Sequence, residues 1–206
     1  MRKIIILIII MFFSAGLMAQ NGKNVTAEWL KDNYTKREVM IPTRDGVRLY
    51  TAVYEPISVT EAKPLLLVRT PYSLKGYGFE AGEEPAVGKQ SYSSGIWDDL
   101  LNYAADGYVI VFQNVRGTFL SEGDFENIRP HLTGMAGGLS KGQTVDEATD
   151  TYDTVEWLLA NTRSNGSVGV KGTSYNGFYA TMAALSRHPA VKAVSPQAPI
   201  ADWFMG

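Results

Sequence analysis

Cysteine is absent from the 206-residue chain. That excludes disulfides, thiolate nucleophiles and cysteine metal sites, so the fold must rest on its buried core. Histidine is nearly absent too: only His131 and His188 occur, which leaves few candidates for a general base. Charged residues make up 19% of the chain, with 19 Lys and Arg against 21 Asp and Glu. No basic patch stands out, so a nucleic-acid partner is not expected. There is no internal repeat and no low-complexity segment.

What is present begins with Arg2-Lys3, the apolar run from Ile4 to Phe13, and small residues up to Ala19. A positive start, an apolar centre and a small residue before the cut mark a secretory signal peptide. The run is too short to span a bilayer comfortably. Cleavage after Ala19 is expected, leaving no stable membrane span, and the product is expected to be a bacterial periplasmic or secreted protein. Residues 20–36 read as a polar N-terminal extension, extended or partly helical. Residues 37–206 read as one globular domain.

From Arg37 the pattern is that of strands. Glu38 to Ile41 and Val47 to Tyr54 flank Pro42-Thr-Arg-Asp-Gly46, and Asp-Gly between apolar runs is a strong hairpin signal. Pro64-Leu-Leu-Leu-Val-Arg69 and Tyr108-Val-Ile-Val-Phe112 are continuous apolar runs, expected of strands buried on both faces. Thr70 to Ser94 is a long loop rich in glycine and aromatics, a length usual in functional loops. Gly82 to Lys89 superficially resembles a phosphate loop, but its second glycine is one place late and no Ser or Thr follows Lys89. Ile96 to Asp106 reads as a helix stopped by Gly107. Thr144 with Glu147 reads as a capping box opening a helix that runs to Ala160. Val191 to Val194 begins a last strand, with Pro196 and Pro199 at its exit. Strands alternating with helices predict a parallel sheet covered on both faces. With a leading antiparallel hairpin, the fold class is α/β, in the α/β-hydrolase arrangement.

The chemistry centres on Val168-Gly-Val-Lys-Gly-Thr-Ser-Tyr-Asn-Gly-Phe-Tyr-Ala180. This is a short buried strand, a tight turn with Ser174 at its tip, and a helix: the layout of a nucleophile elbow. Gly172 and Gly177 bracket the serine, where larger residues would clash. The hydroxyl is presented at a helix N-terminus, which favours developing negative charge. The spacing departs from Gly-x-Ser-x-Gly, because Asn176 stands where glycine is usual. A serine nucleophile needs a histidine base and a carboxylate to orient it, in the chain order Ser, acid, His. After Ser174 the chain holds one acid, Asp202, and one histidine, His188. His188 is about 20 Å along the helix at roughly 1.5 Å per residue, too far to serve as the base. His131 precedes the serine, which is the wrong order. The expectation is that the chain is the N-terminal part of a longer enzyme. The alternative is a truncated or non-catalytic hydrolase-fold protein that lacks the acid and histidine.

Ile41-Pro-Thr-Arg-Asp-Gly-Val47, Arg69-Thr-Pro-Tyr72, Val111-Phe-Gln-Asn-Val-Arg-Gly117 with Ser121-Glu-Gly-Asp-Phe125, Asp150-Thr-Tyr-Asp-Thr-Val-Glu-Trp157 and Gly172-Thr-Ser-Tyr-Asn-Gly-Phe178 form an ordered set. In this set the chain resembles the X-Pro dipeptidyl-peptidase/cocaine-esterase family of serine hydrolases, and within it most resembles α-amino-acid ester hydrolases and glutaryl-cephalosporin acylases. The resemblance implies an acyl-enzyme on Ser174. The backbone N–H of Tyr175 and the phenol of Tyr72 would be the two oxyanion donors. It accounts for the displaced Gly177. It implies a small-molecule or peptide substrate with an ester or amide bond, no cofactor, no metal, and the possibility of a homo-oligomer. It places the acid, the histidine, a helical cap and a C-terminal jelly roll beyond Gly206, together with most of the acids that bind a substrate α-amine. Arg116 and Asp124 are expected to be structural, with Arg116 bracing the oxyanion loop. Asp146, Glu147 and Asp150 are expected as first-turn residues suited to the helix dipole.

Overall fold

The computed structural model describes residues 27–58, 60–72, 74, 100, 102–132 and 145–200. The expected signal peptide, most of the loop after Thr70, Trp97, Thr144 and Asp202 lie outside the described residues. Helix α1 (Ala27–Asn33) leads directly into strand β1 (Tyr34–Pro42), which begins three residues ahead of the expected Arg37. The reason is packing: Leu30 and Tyr34 are buried, and the Tyr34 hydroxyl donates to the carbonyls of Ala104 and Tyr108 at 2.8 and 2.9 Å.

Strand β2 (Arg48–Pro56) pairs antiparallel with β1 across the expected turn. Gly46 there has φ +88°, a conformation that glycine adopts without penalty. Strands β3 (Leu65–Thr70) and β4 (Val109–Asn114) follow, then helix α2 (Glu147–Asn161), strand β5 (Val168–Thr173), helix α3 (Tyr175–Leu185) and strand β6 (Val191–Gln197). The order across the sheet is β1-β2-β4-β3-β5-β6. Strand β2 meets β4 antiparallel, while β4, β3, β5 and β6 are parallel neighbours. This is the expected α/β sheet with a leading hairpin.

Successive strand residues face opposite sides, and the two cores follow that parity. Ile41, Val53, Leu65, Leu67, Val109 and Val111 pack under α2 and α3, through Val155, Leu158, Ala180 and Ala183. Ala52, Tyr54, Val68, Ile110 and Phe112 pack on the other face against Leu30, Leu100 and Ala104. Each large apolar side chain so buried contributes about 1.5–3 kcal/mol. Strand β6 keeps Pro196 within its span. Among the described residues β6 is an outermost strand, where Pro196 needs no ladder bond on its outer side.

The start of α2 differs from the expected capping box. Asp146 is the N-cap and accepts from the Thr149 amide at 2.8 Å, and the Thr149 hydroxyl accepts from the Asp146 amide at 2.8 Å. Glu147 and Asp150, expected as acids suited to the helix dipole, are instead buried beneath the helix among arginines.

Candidate active site

The sheet brings Ser174, Tyr175 and Tyr72 to one end, beyond the C-terminal ends of the parallel strands β3 and β5. Ser174 joins β5 to α3 with φ +59° and ψ −120°. Non-glycine residues rarely hold positive φ, and such strain collects at functional sites. The main chain around it is fully engaged. Its amide donates to the Gln197 carbonyl at 2.9 Å, and its carbonyl accepts from Gly177 at 2.9 Å and Phe178 at 3.3 Å. The residue is exposed, and its side chain makes no capping bond to the helix.

The two glycines are required by space. A Cβ on Gly172 would lie 2.0 Å from the Asn176 carbonyl oxygen. A Cβ on Gly177 would lie 2.9 Å from Cα of Pro199 and 3.0 Å from the Gln197 carbonyl oxygen. Position 177, facing the backbone that leaves β6, is therefore the tight one, and Asn176 is accommodated. This is the physical reason for the displaced glycine.

Tyr72 is 53% exposed. Its amide donates to Oγ1 of Thr70 at 3.1 Å, and its carbonyl accepts from Nδ2 of Asn114 at 2.7 Å. Its ring meets that of Tyr175 edge-on, with centroids 6.4 Å apart and planes at 75°. Tyr175 in turn stacks on Tyr179 at 5.5 Å and 22°. Burial raises the pKa of both the Tyr175 and the Tyr179 hydroxyl.

Beneath these tyrosines lies a network of buried charge. Arg69 is fully buried. It donates to Oε1 of Gln113 at 2.8 Å, to the Glu147 carbonyl at 2.8 Å and to Oγ1 of Thr151 at 2.9 Å. Its guanidinium lies 5.8 Å from the Tyr179 ring centre and 3.1 Å from Oε2 of Glu147. Burial raises the Glu147 pKa, against the pull of Arg69. Arg116 donates to both carboxylate oxygens of Asp150, at 3.0 and 2.7 Å, and to Asp45 at 2.8 Å. It therefore anchors the hairpin turn to α2. The loop carrying Tyr72 is braced by Thr70 and Asn114 rather than by Arg116. Asp124 is exposed, and a Cβ on Gly117 would overlap the 124–125 backbone.

Neither histidine is brought to Ser174. His188 is buried, with Nε2 2.7 Å from Oε1 of Glu156 and Nδ1 accepting from the Ala190 amide at 3.1 Å. His131 has Nδ1 2.9 Å from Oδ2 of Asp146. It lines one cavity with Leu185, Ser186 and Arg187, at the opposite end of α3 from Ser174. Arg69, Gln113 and Asn114 stood in the sequence only inside longer motifs and were not legible as parts of this region. The available signal was a cation and two amides closing otherwise apolar strand runs.

Residues 45–206 match the family model of the X-Pro dipeptidyl-peptidases (S15 family). The chain belongs to this family. Among curated relatives, cocaine esterase of Rhodococcus sp. (strain MB1 Bresler) is 36% identical over 166 residues, covering 81% of this chain and 24% of the esterase. Among solved structures, an aminopeptidase from a marine-sediment Thaumarchaeota archaeon is 39% identical with a TM-score of 0.71, over 84% of this chain and 27% of that one. An α-amino acid ester hydrolase is 38% identical with a TM-score of 0.68, over 93% of this chain and 30% of that one. The chain thus spans about a quarter to a third of the length of these relatives. The proteins to which it is similar are named an esterase, an aminopeptidase and an ester hydrolase, and the sheet has the α/β-hydrolase form. Among the described residues, no helix is long and apolar enough to cross a membrane.

Proposed function

We propose that this S15 member is an exported serine hydrolase that cleaves ester or amide bonds through an acyl-enzyme on Ser174. The observation that carries the reading is the exposed, strained serine at φ +59° between β5 and α3. In the proposed cycle Oγ of Ser174 attacks the substrate carbonyl and gives up its proton to a histidine base. The resulting oxyanion accepts hydrogen bonds from the Tyr175 amide, the first of α3, and from the Tyr72 phenol. Donors preorganised at that oxygen lower the barrier most, because charge develops there only in the transition state. The leaving alcohol or amine takes the proton, and water then releases the acyl group.

His131 and His188 are both held elsewhere, and the chain covers only 24% of cocaine esterase, so the base and its orienting acid are proposed to come from outside these 206 residues. The 206-residue chain alone is expected to be inactive. The names of the relatives favour an α-amino ester, an aminoacyl peptide or an X-Pro peptide as substrate. Residues 1–19 are proposed to direct export.

A fluorophosphonate probe on the full-length protein tests the reading. Ser174 should be labelled covalently, and Ser174→Ala should abolish labelling. A folded full-length protein that takes no label would favour a non-catalytic hydrolase-fold protein. Tyr72→Phe should lower kcat about 10- to 1000-fold with little change in folding. A panel of aminoacyl-proline, α-amino ester and glutaryl-amide substrates then assigns the substrate class.

A further inference from the structure

The side chain of Tyr175 is held more firmly than supplying a backbone amide requires. Its phenol donates to Oδ1 of Asn127, and Ile128, the next residue, packs with Tyr175 against the Phe178–Tyr179 cluster. One face of its ring is stacked on Tyr179, and Tyr72 meets it edge-on. Ile128 has φ +48°. A β-branched residue in the left-handed region is an outlier, and such a conformation persists only where the surroundings impose it. Here the strained residue directly follows Asn127, whose side chain accepts from the Tyr175 phenol. The start of α3 has corresponding need of an outside restraint. Its N-cap, Ser174, makes no side-chain bond to the first turn, whereas a capping side chain would ordinarily hold those amides in place.

We infer that the Tyr175 phenol is a positioning residue for acyl transfer: tied to Asn127, it fixes the Ser174–Tyr175 peptide so that its N–H aims at the forming oxyanion. The inference rests on the reading of Ser174 as nucleophile. The tether touches neither substrate nor the reacting atoms. Its effect belongs to the transition state, because a rotated peptide still admits substrate but meets the oxyanion off-axis. The hydroxyl stays protonated through neutral pH, since burial keeps its pKa above the ordinary tyrosine value. It can therefore donate to Asn127 throughout the working range.

The test uses the full-length enzyme and a chromogenic ester, with Tyr175→Phe, Asn127→Ala and the double variant. Phenylalanine keeps the ring stack and removes only the hydroxyl. The expected result is a kcat about 5- to 50-fold lower in Tyr175→Phe, short of the loss of a whole oxyanion donor, with KM within about twofold. Affinity for a boronic acid that forms a tetrahedral adduct on serine should fall in parallel. The double variant should be no worse than Tyr175→Phe, because both changes break one bond. If Tyr175→Phe does not fold, Asn127→Ala, on an exposed loop residue, carries the same comparison. A kcat within twofold of wild type, a rise in KM alone, or effects of the two variants that add would overturn the tether. Normal fluorophosphonate labelling alongside those results would leave the acyl-transfer reading standing. A wild-type enzyme that takes no label overturns both.

Discussion

Gly172 and the carbonyl oxygen of Asn176 are so close that a Cβ on the glycine would lie 2.0 Å from that oxygen. The contact joins the end of β5 to the first turn of α3, with Ser174 held between them. The obstacle is backbone on both sides, so no side chain can swing away to make room. Gly172→Ala must shift the strand or the helix, and overpacking of this kind costs about 1–3 kcal/mol. The expected result in the full-length protein is a lower thermal midpoint, with fluorophosphonate labelling reduced further than the loss of folded protein explains. Labelling and stability equal to wild type would show that the elbow is not constrained here.

Ser174 itself is held at φ +59° and ψ −120°, where a Cβ is strained and glycine is not. Ser174→Gly should therefore gain stability, by part of the roughly 1–3 kcal/mol that such a conformation stores, while all covalent labelling is lost. Ser174→Ala keeps the Cβ and should gain much less. The comparison of thermal midpoints across the three proteins separates strain stored for function from the chemistry of the hydroxyl. A Ser174→Gly protein less stable than Ser174→Ala would contradict it.

How far the sequence could be read follows from these contacts. Strands β3 and β4 announced themselves as unbroken apolar runs because both sheet faces bury their residues. The Asp45-Gly46 turn was visible because it demands a glycine at positive φ. Ser174 was legible from its own strand-turn-helix motif and Tyr175 and Tyr72 through the family resemblance, and the fold sets all three at one end of the sheet. The charged layer under α2 was not legible. Arg69 closes an apolar strand, and Glu147 and Asp150 occupy the first turn of a helix, where acids normally read as solvated partners of the dipole. Only the packing of α2 on β3 and β4 turns those acids inward, toward Arg69 and Arg116. The N-cap was misplaced for a related reason. A helix start can be closed by Asp and Thr as well as by Thr and Glu, and Glu147 was already committed to the interior.

Arg116 joins the Asp45 turn to Asp150 of α2, and its side chain and that of Asp150 are almost wholly buried. Arg116→Ala leaves Asp150 without its two-point partner, a loss that typically costs about 3–5 kcal/mol. Acid titration adds a second readout. Burial works against the ionised Asp45 carboxyl, but hydrogen bonds from Arg116 and Thr43 still hold its pKa down to about 2. A depressed carboxylate stabilises the fold above its unfolded pKa, about 3.9. That contribution is lost as the pH falls through the folded value of about 2. Wild-type unfolding should therefore steepen with acid across this window, and Arg116→Ala should flatten the slope there. An unchanged slope would mean that Arg116 is not what depresses Asp45.

Glu147 carries the opposite sign. Its carboxyl is buried, and burial raises its pKa despite Arg69. In the interval between its unfolded and folded pKa values the native state binds more protons than the unfolded chain, so stability falls as the pH rises. Glu147→Gln removes the titration and keeps nearly the same shape. Arg69 retains the Glu147 main-chain carbonyl, Thr151 and Gln113 as acceptors. The variant should therefore be more stable than wild type at pH 8, and the margin should shrink by pH 4, below the unfolded carboxyl value of about 4.3. Thermal midpoints at the two pH values decide this. A Glu147→Gln protein destabilised at pH 8 would show that the ion pair with Arg69 outweighs the desolvation of the carboxylate.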